Sequence, residues 1–312
     1  MNQSNFHFHF PPADLRVFRS WIALGLLLGG AAPCRCESPE LGWKFTPGQS
    51  LRYQLNQTAH LSTGVEESAQ AIADVVEHID YSWKVLTVDP NGTATIAVQV
   101  TNFSAKFTGP GGQEVRYDSQ STEEPQGFSA MLLPIGRRLV ESEVTLTISP
   151  KGEVTMSALP DDLFEAAKSI PGGKTFALDG GAASFVSLAR LGGPWEFPTP
   201  ADTSWSTTHQ ADLPVLGKQN IALNYKWREP ANAERVVIEQ AMLLSTELQP
   251  GVDRLELLEQ RSKGQITWDL AAGRPTKSTL SYSAELSTGA NPKSKMTLES
   301  TIEFRELADE TE

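Results

Sequence analysis

Residues 51–61 alternate apolar and polar side chains. Leu51, Tyr53, Leu55, Ala59 and Leu61 share one side; Arg52, Gln54, Asn56, Thr58 and His60 share the other. Successive side chains of a strand point to opposite faces, so this period predicts a strand with one buried and one wet face. Residues 71–88 repeat the pattern, with Ile79, Tyr81, Trp83 and Val85 on one side. Asp89, Pro90, Asn91 and Gly92 then predict a tight turn, and residues 93–103, rich in β-branched types, predict its returning partner. A short strand at 114–117 and a second hairpin at 141–148 and 153–156 follow, the latter around Ser149, Pro150, Lys151 and Gly152. In the last third, Ile221, Leu223, Tyr225 and Trp227 alternate with polar neighbours. Further strands are predicted at 234–247, 254–260, 264–268, 275–286 and 295–304.

Helical signals are few. Residues 128–134 are apolar enough for a short helix. Asp161 and Asp162 stand where acidic side chains favour the start of a helix, over 163–168, and residues 182–191 predict another, closed by Gly192, Gly193 and Pro194. The expected fold is therefore mostly β (α+β): a long curved antiparallel sheet or half-barrel with two or three short helices covering one face. Residues 37–312 read as a single β-rich domain, with a strand block at 43–157, a helical interlude at 158–192 and a second strand block at 203–307. Both blocks lead through a turn into an alternating strand, at Phe45 to Tyr53 and at Leu213 to Trp227, a parallel that fits a diverged duplication.

The N-terminus reads differently. Arg16 and Arg19 precede an apolar run from Trp21 to Ala32 that is shorter than the roughly 20 residues a spanning helix needs, and small residues follow. That is the pattern of an export signal, assigned to residues 1–36, with the mature chain exported to the periplasm or the extracellular space. The competing arrangement, lipid anchoring at Cys34, lacks the flanking residues it requires. No transmembrane anchor is expected. The chain contains 2 Cys, Cys34 and Cys36, so removal of the signal leaves neither a Cys nucleophile nor a Cys-based zinc site.

Charge narrows the partners. The net charge of −12 comes with no clustered basic face, which excludes nucleic acid as an expected partner. No nucleophile elbow, zinc-helix, phosphate-loop or dinucleotide motif is present. His60 and His209 stand among polar neighbours, and His78 shares a strand face with Asp80 while Glu77 opposes them, which reads as a surface pair. Adjacent acids such as Asp161 and Asp162 lack the facing geometry of a glycosidase pair. No catalytic residue, metal ligand or cofactor is assigned, and the protein is expected not to be an enzyme. The remaining candidate site is apolar: Tyr53, Trp83, Tyr225 and Trp227 on the sheet, facing Phe164 and Phe185 of the helical interlude.

Several of these segments carry a resemblance. Trp43, the Phe45–Gly48 turn into Arg52 and Tyr53, the Asp89–Gly92 hairpin, the helix near Leu163, the Leu213–Gly217 turn and the stretch from Trp268 to Arg274 resemble an uncharacterised family of exported planctomycete-type bacterial proteins, a domain of unknown function, over residues 43–305. The resemblance implies location and fold, and no activity. The strand–helix–strand order is also similar to the half-barrels of bacterial lipoprotein carriers, which hold acyl chains between sheet and helices. The half-barrel resemblance implies a lipid or other apolar small molecule as partner; the alternative is a structural or protein-interaction module of the bacterial cell envelope. N-terminal sequencing of the processed protein is expected to begin between Arg35 and Glu37. A product retaining Ser20 or Trp21 would contradict the export reading.

Overall fold

In a computed structural model, the structure describes residues 41–64, 70–158, 195–197, 203–213, 217–228, 234–246, 256–287 and 295–308. They form twelve strands: β1 (Ser50–Gly64), β2 (Gln70–Val88), β3 (Ala94–Thr108), β4 (Glu114–Asp118), β5 (Glu143–Ile148), β6 (Val154–Ala158), β7 (Ser204–Leu213), β8 (Gly217–Trp227), β9 (Arg235–Thr246), β10 (Glu256–Asp269), β11 (Arg274–Ser287) and β12 (Lys295–Leu307). All twelve belong to one antiparallel sheet, in the order β6-β5-β3-β2-β1-β12-β11-β10-β9-β8-β7, with β4 paired to β3 beside that path. The edge strands β6 and β7 do not pair with each other, so the sheet is open.

The chain winds outward from β1 to β6, resumes at the opposite edge with β7 and winds back to β12. Its first and last strands therefore meet in the middle, in register from Arg52 opposite Leu307 to Gly64 opposite Lys295. Read in one direction across the sheet, the first block runs β6-β5-β3-β2-β1 and the second β12-β11-β10-β9-β8-β7, so the opening strand of each lies at the same end of its block.

One α-helix lies among the described residues, α1 (Leu133–Glu141), preceded by a 3-10 turn at Gly127–Leu132. Of the expected two or three covering helices, one lies among the described residues, and those predicted at 163–168 and 182–191 fall outside them. The helix expected at 128–134 begins later because Pro134 sits in its first turn, where a missing N–H costs nothing and a fixed φ suits helix entry. No helix among the described residues is long and apolar enough to cross a membrane. The strands expected at 254–260 and 264–268 are one strand, β10; Gly264 marks a crossing point within it. A Cβ at Gly264 would lie 2.4 Å from the Thr279 carbonyl oxygen and 2.7 Å from Cγ of Gln240. The absent side chain lets Gln240 lie across β10 and donate to Ser278 Oγ (2.8 Å) and the Thr279 carbonyl (3.0 Å) on β11.

One face of the sheet is apolar. At the end where the β2–β3, β5–β6 and β10–β11 turns gather, that face is packed with aromatic rings from across the sheet. Trp43 stacks on Phe45 and meets Trp83 and Trp268; Tyr53 meets Trp83 and Phe304; Phe197 meets Trp268 and Trp205. Two short straps supply the covering rings. Leu41–Phe45 is tied down by Trp43 N donating to the Pro150 carbonyl and Lys44 N to that of Gly273, and Phe197 N donates to the Lys151 carbonyl. Trp43 Nε1 joins the straps by donating to the Trp195 carbonyl at 3.1 Å.

Beyond this aromatic end the ladder between β9 and β10 stops. Their pairing runs only from Asp269–Arg235 to Gly264–Gln240. Further along, β10 side chains replace the missing backbone groups: Ser262 Oγ accepts from Met242 N at 2.8 Å, and the Gln260 amide exchanges two hydrogen bonds with the Leu244 backbone. The strands splay, and the N–H groups of Met242 and Leu244 are met by these side chains.

Gly152 offers a test of the strap. Its φ is +83°, and a Cβ there would sit 1.9 Å from the Trp195 carbonyl oxygen. Gly152→Ala combines a left-handed backbone penalty with overpacking and is expected to cost at least about 2 kcal/mol by urea unfolding.

Candidate functional site

The apolar face is the surface on which the expected pocket residues fall. Tyr53, Trp83 and Tyr225 are there, and all three are buried. Their rings contact other rings: Tyr53 has centroids of Tyr81, Trp83 and Phe304 within 5.7 Å, and Tyr225 stacks on Trp205 at 5.1 Å. Trp227 is partly exposed and packs at the rim of the same core. Phe164 and Phe185 lie outside the described residues. The structure thus brings Tyr53 and Trp83 together and places Tyr225 farther along the same aromatic network, by way of Trp205, Phe197, Trp268 and Trp43. Trp195 and Phe197, buried strap residues with no periodic pattern around them, join it as well. The faint signal for them is an apolar pair just after Gly192, Gly193 and Pro194.

Farther along β3, β2, β1 and β12 the same face stays apolar but opens. Phe103, Phe107, Val75, Ile79, Leu55, Leu61, Met296 and Leu298 are only partly buried. Register places them together: Ile79 lies opposite Leu55 and Phe103, Val75 opposite Ala59 and Phe107, and Leu61 opposite Leu298. On the β8–β11 side the face is closed at comparable depth, with Ile221, Leu244, Ala284 and Leu286 buried. The open part therefore belongs to the first block and to β12.

Polar side chains interrupt it, Ser300 opposite Ala59 among them. Gln57 and Glu77 stand opposite each other on β1 and β2, with Ala105 beyond Glu77 and Ile302 beyond Gln57. Burial alone raises the Glu77 carboxyl above its ordinary value of 4.5. Alternation in the sequence already separates Glu77 from His78 and Asp80; its position between Val75 and Ile79 is the signal that places a carboxyl on an apolar face.

The polar face has its own order. Asp80 Oδ1 accepts from Gln54 Nε2 (2.9 Å), and its Oδ2 accepts from Asn102 Nδ2 (3.1 Å) and lies 3.0 Å from His78 Nε2. Burial pushes the Asp80 carboxyl up, but the hydrogen bonds from Gln54, Asn102 and His78 outweigh it and hold the group below its ordinary value. His78 Nδ1 faces Asn56 Oδ1 at 2.7 Å. The expected His78–Asp80 surface pair is present, and His60 pairs with Asp74 at 2.5 Å. An open polar groove of about 530 Å³ runs over this face between Asp74 and His60 on one side and Arg261 and Lys263 on the other. No group of three or more His, Cys, Asp or Glu among the described residues is placed to hold a metal ion.

No family model matches the chain, and no curated protein matches it. Among solved structures it is similar to lipovitellin, in a structure concerned with lipid–protein interactions, at 10% identity over 85% of this chain and 26% of that one, with a TM-score of 0.47. The chain spans about a quarter of the lipovitellin length. It is also similar to the translocator domain of the autotransporter NalP from Neisseria meningitidis (8% identity, 83% and 88% coverage, TM-score 0.22). A third likeness is Pseudomonas aeruginosa OpdQ (8% identity, 83% and 99% coverage, TM-score 0.18). At these scores none of them bears on what this chain binds.

Two measurements test the electrostatics and packing of this face. Tyr53 Oη is buried with no hydrogen-bond partner. Removing an unsatisfied buried hydroxyl relieves a desolvation penalty, so Tyr53→Phe is expected to leave stability unchanged or raise it by about 1 kcal/mol in urea unfolding. For Glu77, the folded protein keeps a proton that the unfolded chain has already released. Its contribution favours folding below its ordinary value of 4.5 and is lost as pH rises through the raised folded value. Asp80 works in the opposite sense, losing its contribution as pH falls through a value below 3.8. Glu77→Gln is therefore expected to raise the urea midpoint relative to wild type at neutral pH, with the gain vanishing near pH 4 (about the unfolded-state value).

Proposed function

We propose that this is an exported, non-catalytic protein that holds a lipid or other apolar molecule against the open part of its apolar sheet face. One observation carries the reading. The apolar face continues past the aromatic end along strands as long as 19 residues, yet on β1, β2, β3 and β12 its side chains remain partly exposed. Apolar area left in water costs roughly 25 cal/mol per Å² relative to burial, so a contiguous stretch of this kind favours an apolar occupant. Export rests on the Arg16–Ala32 signal pattern. The non-catalytic part rests on the sequence, which carries no catalytic motif, and on the polar-face cluster of Gln54, Asn56, His78, Asp80 and Asn102, whose side chains bond to one another.

This reading moves the site away from the aromatic rings first expected to form it. Tyr53 and Trp83 are buried against each other, Tyr225 is buried against Trp205, and together they serve the molecule as its fixed end. A second reading is a protein-interaction module of the cell envelope, in which a partner covers the same surface. The openness of that surface favours it, since a lid is not needed to admit a partner.

Native mass spectrometry of the protein purified without detergent separates the two, and a co-purifying apolar small molecule is the expected result. Binding of the neutral dye N-phenyl-1-naphthylamine gives the matching mutational test. Leu61→Gln and Leu298→Gln, on the apolar face, are each expected to weaken it about tenfold, the effect of losing one buried Leu contact. Val76→Gln, at 49% exposure on the polar face, is expected to leave it unchanged. Equal effects from the two faces would remove the site from this surface.

A further inference from the structure

We propose, resting on the reading above, that Glu77 with Gln57 beside it sets the specificity of the apolar face, and that the molecule held there carries a hydrogen-bond-donating head, an amine or a hydroxyl, on its apolar body. Several other polar side chains of this face bond within the protein. Gln240 donates to Ser278 and Thr279, Gln260 bonds the Leu244 backbone, and Ser262 accepts from Met242 N. Each of them serves the protein itself. Glu77 makes no hydrogen bond and no ion pair within the described residues.

Among the described residues, nothing placed around it supplies a charge. On β1 it faces Gln57, between Leu55 and Ala59; on β3 it faces Ala105, between Phe103 and Phe107. The next side chain across is Tyr117 on β4, opposite Ala105. The charges of α1, which packs on β3, are engaged elsewhere, Arg137 with Glu124 and Arg138 with Glu141. His78 and Asp80 are on the opposite face. An acceptor-rich group set alone in apolar surroundings is costly unless something donates to it. The raised carboxyl pKa agrees with that isolation.

A donor head meets this need in a way that an acceptor does not. An ammonium would form a charge-assisted pair with the carboxylate, with the Gln57 carbonyl oxygen as second acceptor; a hydroxyl would donate one neutral bond. A fatty-acid carboxylate would bring a second negative charge against Glu77.

The test uses the full chain and displacement of N-phenyl-1-naphthylamine by dodecylamine, dodecanol and dodecanoate at neutral pH. Dodecylamine is expected to displace the dye at about tenfold lower concentration than dodecanoate, with dodecanol between them; one charge-assisted hydrogen bond supplies a ratio of that order. In Glu77→Gln, which keeps size and folding, the amine-to-carboxylate ratio is expected to fall to about unity. Dye binding with no amine preference in wild type, or a preference that persists in Glu77→Gln, overturns the role of Glu77 and leaves the apolar reading standing. Absence of dye binding by the wild-type protein overturns both.

Discussion

The pairing of β1 with β12 is the contact on which the rest of the sheet depends. Most other ladders join strands separated by a turn or a short connection, so each outward or returning meander could form from local contacts. The central ladder instead brings Arg52 to Leu307, across nearly the whole domain. Without it there would be two sheets, each with an exposed central edge and half of an apolar face. Closing so long a loop adds an entropic term that grows only slowly with length, but it must be met before the ladder rewards it. The aromatic packing follows from this seam. Tyr53 of β1 and Phe304 of β12 touch only because their strands are neighbours, and Trp195 packs on Phe304.

From that seam the apolar face divides into parts with different work. At the aromatic end, rings from both meanders interlock under two straps, and the backbone hydrogen bonds of Trp43, Lys44 and Phe197 fix the straps to turns on both sides. Farther along, the β8–β11 side is closed and the β3-β2-β1-β12 side is open. A rigid end gives the open part a fixed register: Leu55 to Phe304, Leu61 to Leu298 and Gln57 to Glu77 keep their spacing because the strands they sit on are held a few residues away.

Much of the fold is legible in the sequence. Period-two alternation locates β1, β2, β8 and β11 within a few residues, since a one-residue error would turn every buried side chain to water. The hairpin turns at Asp89–Gly92 and Ser149–Gly152 are readable because glycine at positive φ is required there: Gly92 and Gly152 both have φ +83°. What the sequence hides is long-range. β7 escapes notice because Trp205, Thr207 and His209 make a weak apolar side, and β10 reads as two strands because Gly264 mimics a break. The meeting of β1 with β12 carries no local mark, nor does the burial of Trp195 and Phe197. Of the candidate site, alternation identifies the apolar face but not which part of it is open, because that depends on what each strand end packs against.

The splay between β9 and β10 has a consequence for how such a protein can change. A backbone ladder is indifferent to side-chain identity and resists substitution as a whole. Where Gln260 and Ser262 stand in for backbone groups, the spacing of two strands is written into the length of two side chains. Substitutions there would alter the width of the sheet without unzipping it. The far end is consequently the part of this architecture most easily retuned by point mutation, while the aromatic end, locked by many mutually dependent rings, is the part that must be inherited intact.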